Sequence, residues 1–276
     1  NRSDVYTVTS STMAEYVGFR LAYGKIGNPT WISPNGMANT SRISVMTSAD
    51  VLRAKAGTIQ SKIVFRNDVS GNLAYLDFSD GLGSVVEIKD TIDAYHPEIS
   101  PDGKKVAFST KYEGISGKSE LYVRDLMPSG SNLVKLNVES AAIPRWNVLP
   151  NGDTVIVYVD DAGNNKDESN FKKSSTWQVK FSNGKFGTPE KLFDGAFHGG
   201  VSQDRRLAVT GARLLRAKVA DSAQTLSDAS KNEVWYNSEQ ACNVSLNRDE
   251  SKRTLFLDFS GKTGTEFAAD KYGVHE

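Results

Sequence analysis

The chain has 276 residues, with 33 basic and 33 acidic side chains and therefore a formal net charge of zero at neutral pH. This balance gives no global field that would favour nucleic acid or an anionic membrane surface. No apolar run approaches the roughly 18 residues of a membrane-spanning helix. Cys242 is the single cysteine, which excludes an intrachain disulfide and a cysteine-based zinc site.

The N-terminal residues form no basic-then-apolar signal segment, and we expect the chain to be a mature or excised piece of a longer protein. Residues 1–27 are predicted to be a linker or the tail of an upstream domain, and residues 28–276 to form one repeat domain. A truncation at the C-terminal end of that domain is one interpretation, because after Ser260 the chain has room only for a loop and the start of one more strand.

Helical periodicity is scarce along the chain. Residues 48–56 and 221–230 are the two segments compatible with a short helix, and either can instead be a loop. Most other apolar runs are short, rich in β-branched and aromatic residues, and bounded by turn residues, as at residues 106–108, 121–123 and 155–159. This pattern predicts β-strands.

One turn phrase recurs between these strands. Its clearest copy, at residues 96–108, reads HPEISPDGKKVAF, in which Pro fixes φ, Asp tolerates the bridge or left-handed region and Gly accepts a positive φ. Residues 65–79 align without a gap on residues 246–260, and both segments end in Leu-Asp-Phe-Ser. Degraded copies of the phrase lie at residues 32–36, 149–152, 201–204 and 246–249.

The turn Asp or Asn of each copy marks the phase of the repeat, at positions 35, 68, 102, 151, 204 and 249. The later intervals match the roughly 45-residue period of a four-stranded propeller blade. The shorter first intervals indicate trimmed blades or a misassigned first mark. In the best unit, strands are predicted at residues 96–100, 105–110, 120–124 and 132–136.

The sequence therefore predicts an all-β fold. Its expected form is a β-propeller of antiparallel four-stranded blades, about six in number with five as the alternative, some of them trimmed or incomplete. A β-sandwich also joins short strands by frequent turns, but it does not predict a turn phrase that returns about every 45 residues.

The phrase at residues 96–110, followed by ELYVRD at 120–125, resembles the TolB-type (WD-like) propeller repeat, and residues 142–146 resemble the start of another such blade. The resemblance implies a propeller in the extracytoplasmic space, in the periplasm or at the cell surface. Departures from the family pattern are Ile99 in place of an aromatic residue, Asn35 and Asn151 in place of the turn Asp, and Arg205 and Glu250 in place of the Gly.

Residues 16–22, YVGFRLA, resemble the closing strand of formylglycine-generating (sulfatase-modifying factor) domains, whose catalytic body is not in this chain. Such a domain followed by a TolB-like propeller resembles the order found in large predicted lipoproteins of unknown function from rumen fibre-degrading bacteria.

Catalytic motifs are incomplete in this sequence. His198-Gly199-Gly200 is similar to the oxyanion loop of some esterases, but no Gly-x-Ser-x-Gly nucleophile turn accompanies it. Residues 117–119 and 261–263 end like a phosphate-binding loop and lack its first glycine. We expect both to be hairpin tips, and no catalytic residue and no cofactor is predicted.

Oxygen-rich positions leave two alternatives open. Residues 160–168 carry many carboxylates and amides without the spacing of a calcium loop, so we expect a solvated hairpin loop, with a weak cation site as the alternative and metal binding left undecided. Asp77 and Asp258 occupy equivalent repeat positions and are expected to be structural, although a carboxylate pair is also what glycoside hydrolysis needs.

Ligand-binding candidates lie where the repeat is broken. Residues 210–218 carry three basic side chains, and residues 235–243 combine aromatic and amide side chains. His96 is expected to be a structural residue at a blade edge and Cys242 a buried small residue. The ligand-binding candidates are His198, Arg213, Arg216, Trp235, Tyr236 and Asn243.

The leading functional hypothesis is a non-catalytic binding or scaffold module of an extracytoplasmic bacterial protein, monomeric, with a protein or carbohydrate partner at its blade loops and central channel. The alternative is a polysaccharide-active enzyme whose acids converge on the channel. A third hypothesis places all chemistry in the missing upstream domain.

Overall fold

The computed structural model describes residues 47–67, 70–79, 81, 84–89, 92–247, 251–258 and 274–275. The chain divides into two compact units, Asn1–Asp93 and Ala94–Glu276. The predicted boundary at residue 27, the motif at residues 16–22 and the phase marks at 35, 68 and 249 lie outside the described residues. Within the described residues, no helix is long and apolar enough to cross a membrane.

The described part of the first unit begins with helix α1 (Ala49–Ala56). The Ser48 hydroxyl accepts a hydrogen bond from the backbone N–H of Val51, and Gly57 ends the helix in the left-handed region with φ of 73°. These are the usual N-cap and C-cap devices. Of the two alternatives left open for residues 48–56, a short helix or a loop, the structure has the helix.

A three-stranded antiparallel sheet follows in the first unit: β1 (Lys62–Arg66), β2 (Leu73–Asp77) and β3 (Ser84–Ile88), in that spatial order. The side chain of Asp77 pairs with Lys62 at 3.1 Å and accepts a hydrogen bond from the Ser79 hydroxyl at 2.5 Å. These contacts give Asp77 a structural role in the sheet.

The second unit begins with a four-stranded meander: β4 (Tyr95–Ile99), β5 (Lys105–Ser109), β6 (Leu121–Asp125) and β7 (Val134–Lys135). All four strands predicted for this repeat are present, with ends that differ by one or two residues. A consecutive antiparallel meander is the structure of one propeller blade.

The turn phrase closes the β4–β5 hairpin through its side chains. The Ser100 hydroxyl donates to Asp102 Oδ1 at 2.6 Å and accepts from the backbone N–H of Lys105 at 2.9 Å, while Gly103 has φ of 70°. Ser202 donates to Asp204 Oδ1 in the same way at 2.6 Å. The phrase is thus a hairpin device.

The second sheet contains β8 (Ala142–Val148), β9 (Thr154–Val159), β10 (Ser175–Ser182), β11 (Lys185–Phe186) and β12 (Glu190–Asp194). Strands β8, β9 and β10 form a meander, and β10 also pairs with β11 and β12. The loop between β9 and β10 holds the short helix α2 (Glu168–Phe171), which Asp167 caps. The prediction of a simple hairpin loop there missed this helix.

The third sheet is formed by β13 (Gly200–Val201), β14 (Leu207–Val219), β15 (Lys231–Val234), β16 (Gln240–Leu246), β17 (Thr254–Asp258) and β18 (Val274–His275). The long strand β14 pairs with β13, β15 and β16. It therefore joins two repeat units, those with phase marks 204 and 249, in one sheet. Residues 221–230, left open between helix and loop, contain no helix.

The sheets of the second unit pack face to face. Trp146 and Phe181 of the second sheet lie in one buried cluster with Ala107 and Val123 of the first. A further cluster joins the second sheet to the third. Successive antiparallel meanders packed on their faces are β-propeller blades, and the fold is all-β, while the number of blades stays a prediction.

Candidate functional site

Three residues at one repeat position lie around a buried carboxyl group. His96, His198 and Asn243 each stand six residues before the turn Asp of a repeat, at phase marks 102, 204 and 249. His96 and Asn243 have φ of 50° and 52° and lie at interruptions of the strand register in β4 and β16. A bulge of this kind turns a side chain or an N–H away from the sheet, and here the three positions surround Glu113.

Glu113 belongs to the loop between β5 and β6, and its side chain is only 8% exposed. Its Oε2 accepts a hydrogen bond from the backbone N–H of Asn243 at 2.8 Å. Its own backbone N–H donates to Nε2 of His96 at 3.0 Å, and Nδ1 of His198 lies 3.5 Å from its Oε1. The residue thus contacts elements of the first and third sheets.

Burial controls the protonation of this cluster. It raises the pKa of Glu113 to about 7, although the hydrogen bond from Asn243 and the charges of Arg145 and Arg213 lower it. Burial, aided by the charge of Arg145, lowers the pKa of His96 to about 4 and that of His198 well below its usual value. Both histidines are therefore neutral at pH 7, and the contact between His198 and Glu113 is not an ion pair.

Arg145 on β8 connects the second and third sheets beside this cluster. Its Nε donates to the carbonyl of His198 at 2.9 Å and its Nη2 to the carbonyl of Val244 at 3.0 Å. Glu113 Oε1 and His198 Nε2 are buried and take no hydrogen bond from the described residues. The cluster is thus a group of buried polar side chains that joins elements of the first, second and third sheets.

Besides the buried cluster, the second unit has a groove at its blade loops, which consists of two adjoining cavities. The larger has a volume of about 900 Å³ and the smaller about 520 Å³. Asp160 and Asp161, which follow β9 directly, line both cavities. Trp177 on β10 lines the smaller cavity, and Phe171 of α2 lines the larger.

The loop that carries Glu113 also forms a wall of this groove, through Ser116 and Gly117. It is joined to the β9–β10 loop by a hydrogen bond from Gly114 N–H to the carbonyl of Ala162 at 2.7 Å. Asp161 Oδ1 accepts from the backbone N–H groups of Gly163 at 3.0 Å and Gly117 at 3.3 Å. The groove and the buried cluster therefore share one structural element.

Three of the six predicted ligand-binding residues lie at the buried cluster. His198 and Asn243 contact Glu113, and Arg213 is exposed with φ of 144° while its charge lowers the pKa of Glu113. Cys242, beside them, is partly buried, and burial raises the pKa of its thiol.

Arg216, Trp235 and Tyr236 are buried in structural contacts. Arg216 donates to the carbonyl of Asn165 at 2.8 Å, and its guanidinium lies 5.2 Å from the centre of a phenylalanine ring of α2. Trp235 and Tyr236 are 5% and 2% exposed, within the buried cluster of the third sheet. A role of the six residues in ligand binding stays a prediction.

Sequence reasoning missed Glu113, Arg145 and Trp177. Counting six residues back from the phase marks at 102, 204 and 249 aligns His96 with His198 and Asn243 and was the available signal for the inner cluster. Nothing in a single sequence shows that the loop residue Glu113 turns inward among them. Within the described part of the chain, no group of three or more His, Cys, Asp or Glu side chains is placed to hold a metal ion.

No family model matches the chain, and no curated protein matches it. Among solved structures it is similar to TolB from Acinetobacter baumannii, with a TM-score of 0.35, 16% identity, and coverage of 74% of this chain and 53% of that one. A Mycobacterium tuberculosis puromycin-hydrolyzing peptidase gives a TM-score of 0.37 and 12% identity, covering 72% and 42%. An acylaminoacyl peptidase from Pyrococcus horikoshii gives 0.30 and 15%, covering 72% and 36%.

The chain spans about half or less of the length of these structures. In the second unit, the sheet topology and the packing of the sheets on one another are those of propeller blades.

Proposed function

We propose that the second unit is a non-catalytic β-propeller module that binds a polar ligand in the groove at its blade loops. The observation that carries this proposal is the pair of adjoining cavities, about 900 and 520 Å³ in volume, that share Asp160 and Asp161. Volumes of roughly 300–1,000 Å³ are typical of ligand sites. Loops held by a rigid scaffold are also where binding residues concentrate.

The chemistry of the groove supports binding more than catalysis. Asp160 accepts hydrogen bonds at both oxygens, from Ser175 N–H at 2.8 Å and from the Trp177 indole at 3.1 Å, so it orients the tryptophan. Glu113, whose pKa burial raises to about 7, does not line either cavity. A glycosidase needs an acid with a raised pKa beside the scissile bond and a second carboxylate across from it.

We also propose an extracytoplasmic location, in line with the resemblance of residues 96–110 to the TolB-type repeat, and a monomeric state. Fractionation of the native host and light scattering of the purified chain test these two points directly.

A cavity-filling substitution tests the binding proposal. Ser116 is exposed and lines the larger cavity, so Ser116→Trp should block it. Ser129→Trp is the matched control, an exposed serine in the β6–β7 connection outside both cavities.

We would screen the full chain against glycan and peptide arrays and measure each captured ligand by calorimetry. We expect a ligand whose binding Ser116→Trp abolishes and Ser129→Trp preserves. Failure to capture any ligand, or equal binding by both variants, would refute the proposal.

A further inference from the structure

The smaller cavity presents a fixed aromatic platform. Trp177 is partly exposed there and packs against the buried cluster that joins the first and second sheets. The hydrogen bond from its indole N–H to Asp160 Oδ2, at 3.1 Å, sets the orientation of the ring. Val138 and Pro189 lie beside it as further apolar lining. A rigid platform of this kind suits a flat apolar face of a ligand.

The charges along the groove nearly cancel. At the rim, Lys118 and Glu139 pair with each other at 3.0 Å and are 76% and 80% exposed. In the larger cavity, the side chain of Asp167 caps α2 and accepts a hydrogen bond from a backbone N–H of that helix. A groove without a strong field of one sign does not favour a polyanion or a polycation. Its charged lining residues are Lys118, Glu139, Asp160, Asp161, Lys166, Asp167 and Lys173.

The larger cavity is lined by both hydrogen-bond donors and acceptors. Asn164, Asn170, Ser116 and Ser174 contribute amide and hydroxyl groups to its lining, and each of these groups both donates and accepts hydrogen bonds. Asp161 is fixed through Oδ1 by two backbone N–H groups, and a carboxylate has further lone pairs to offer a ligand. Hydroxyl groups, which also donate and accept, complement such a lining.

We propose that the groove binds a neutral oligosaccharide. One sugar ring stacks on Trp177 in the smaller cavity, and neighbouring rings extend past Asp161 into the larger one, where their hydroxyl groups bond to the amide and hydroxyl side chains. The two cavities in series suit an oligomer rather than a single sugar, because each falls within the size range of a complete small-molecule site. This inference rests on the proposed function and assigns its ligand class.

The test uses cello-, xylo- and manno-oligosaccharides as probes for calorimetry with the full chain. Trp177→Ala should weaken binding about tenfold, because stacking on an aromatic ring contributes up to about a factor of ten in affinity. Trp177→Phe keeps an aromatic ring and should keep most of the affinity. Asp161→Asn, which keeps the acceptor for both N–H groups, should also weaken binding. Asp153→Asn is its control, because Asp153 lies outside both cavities and pairs with Lys180.

Thermal unfolding of each variant separates loss of binding from loss of folding, and Asp161→Asn keeps the test decisive if Trp177→Ala fails to fold. Oligosaccharide binding that Trp177→Ala and Asp161→Asn leave unchanged would overturn the inference. Capture of a peptide or a sulfated glycan that Ser116→Trp blocks would also overturn it while leaving the proposed function intact. No captured ligand of any class would refute both.

Discussion

Replacing Glu113 with glutamine removes the buried carboxyl group around which His96, His198 and Asn243 lie. Burial raises its pKa from an ordinary value of 4.5 to about 7, so the folded protein holds this proton more tightly than the unfolded chain does. Each pKa unit corresponds to about 1.4 kcal/mol. The ionised carboxylate therefore costs the folded state about 3 kcal/mol above pH 7.

The direction of the pH dependence follows from the raised pKa. Below pH 4.5 Glu113 is protonated in the folded and the unfolded protein, and its contribution to stability is fully present. Between pH 4.5 and about 7 the unfolded chain ionises first, so the free energy of unfolding falls as pH rises. Glutamine has no such titration, and its Oε1 still accepts the hydrogen bond that Asn243 N–H donates to Glu113.

His96 titrates in the opposite sense and must be separated from Glu113. Its pKa is lowered to about 4 from an ordinary 6.5, so its contribution to stability is lost as pH falls from 6.5 towards 4. The wild-type curve contains both effects. The difference between Glu113→Gln and wild type isolates the carboxyl group, since His96 is present in both proteins.

Urea unfolding followed by tryptophan fluorescence, at pH values from 4 to 8, measures this difference. We expect it to be close to zero at pH 4.5 and to reach about 3 kcal/mol in favour of Glu113→Gln above pH 7. Glu139→Gln is the matched control: Glu139 is 80% exposed, so we expect a change within about 0.5 kcal/mol. A difference that does not vary with pH, or a less stable Glu113→Gln at pH 8, would show that the reasoning is wrong.

Three further substitutions test the cluster, the turns and the packing. His96→Gln should reduce the loss of wild-type stability between pH 6.5 and 4 without abolishing it, because His198, whose pKa burial also lowers, titrates in the same direction in the same urea titration. Asp102→Ala removes an acceptor for Ser100 Oγ and the backbone N–H of residue 104 and should lower the free energy of unfolding by about 1 kcal/mol. Gly195→Ala places a Cβ 2.6 and 2.9 Å from two phenylalanine rings at φ of 96° and should cost about 3 kcal/mol. Gly184→Ala, which has φ of 73° but open space around it, should cost only about 1 kcal/mol by thermal unfolding.

The strands and turns could be predicted from the sequence because each is determined by residues close together along the chain. The four strands of the first blade follow from alternating apolar runs, and the Ser100–Asp102 contact follows from turn chemistry. The sequence left the segment of helix α1 open between helix and loop, and the caps Ser48 and Gly57 are the local signal that favours the helix. The pairing of β14 with three other strands was not predictable, because it depends on the partners that a strand of 13 residues meets along its length. Strand pairing of this kind is a tertiary property, which local propensity does not encode.

The two parts of the candidate site differ in the same way. His96, His198 and Asn243 hold one repeat position, so their convergence follows from the repeat once that position is recognised. Glu113 and Trp177 have no such mark, since one lies in a loop and the other on a strand whose facing neighbours come from another sheet. Burial and neighbouring charges set the pKa of a side chain. Both depend on residues that are distant along the chain.

The repeat therefore separates structural residues from candidates for function. Where the turn phrase is kept, as at Ser100 and Ser202, the side chains are used in closing hairpins. The groove is instead built by the connections at residues 110–120 and 160–174, which differ from one blade to the next in length and in content, the second containing α2. Because the side chains of such a loop do not close hairpins, they can be substituted without destabilising the blade. Binding residues therefore concentrate in such loops.

Glu113 anchors the first of these connections, residues 110–120, inside the unit through two hydrogen bonds. The same loop forms a wall of the groove at Ser116 and Gly117, so the contacts of Glu113 hold a part of the chain that lines the groove.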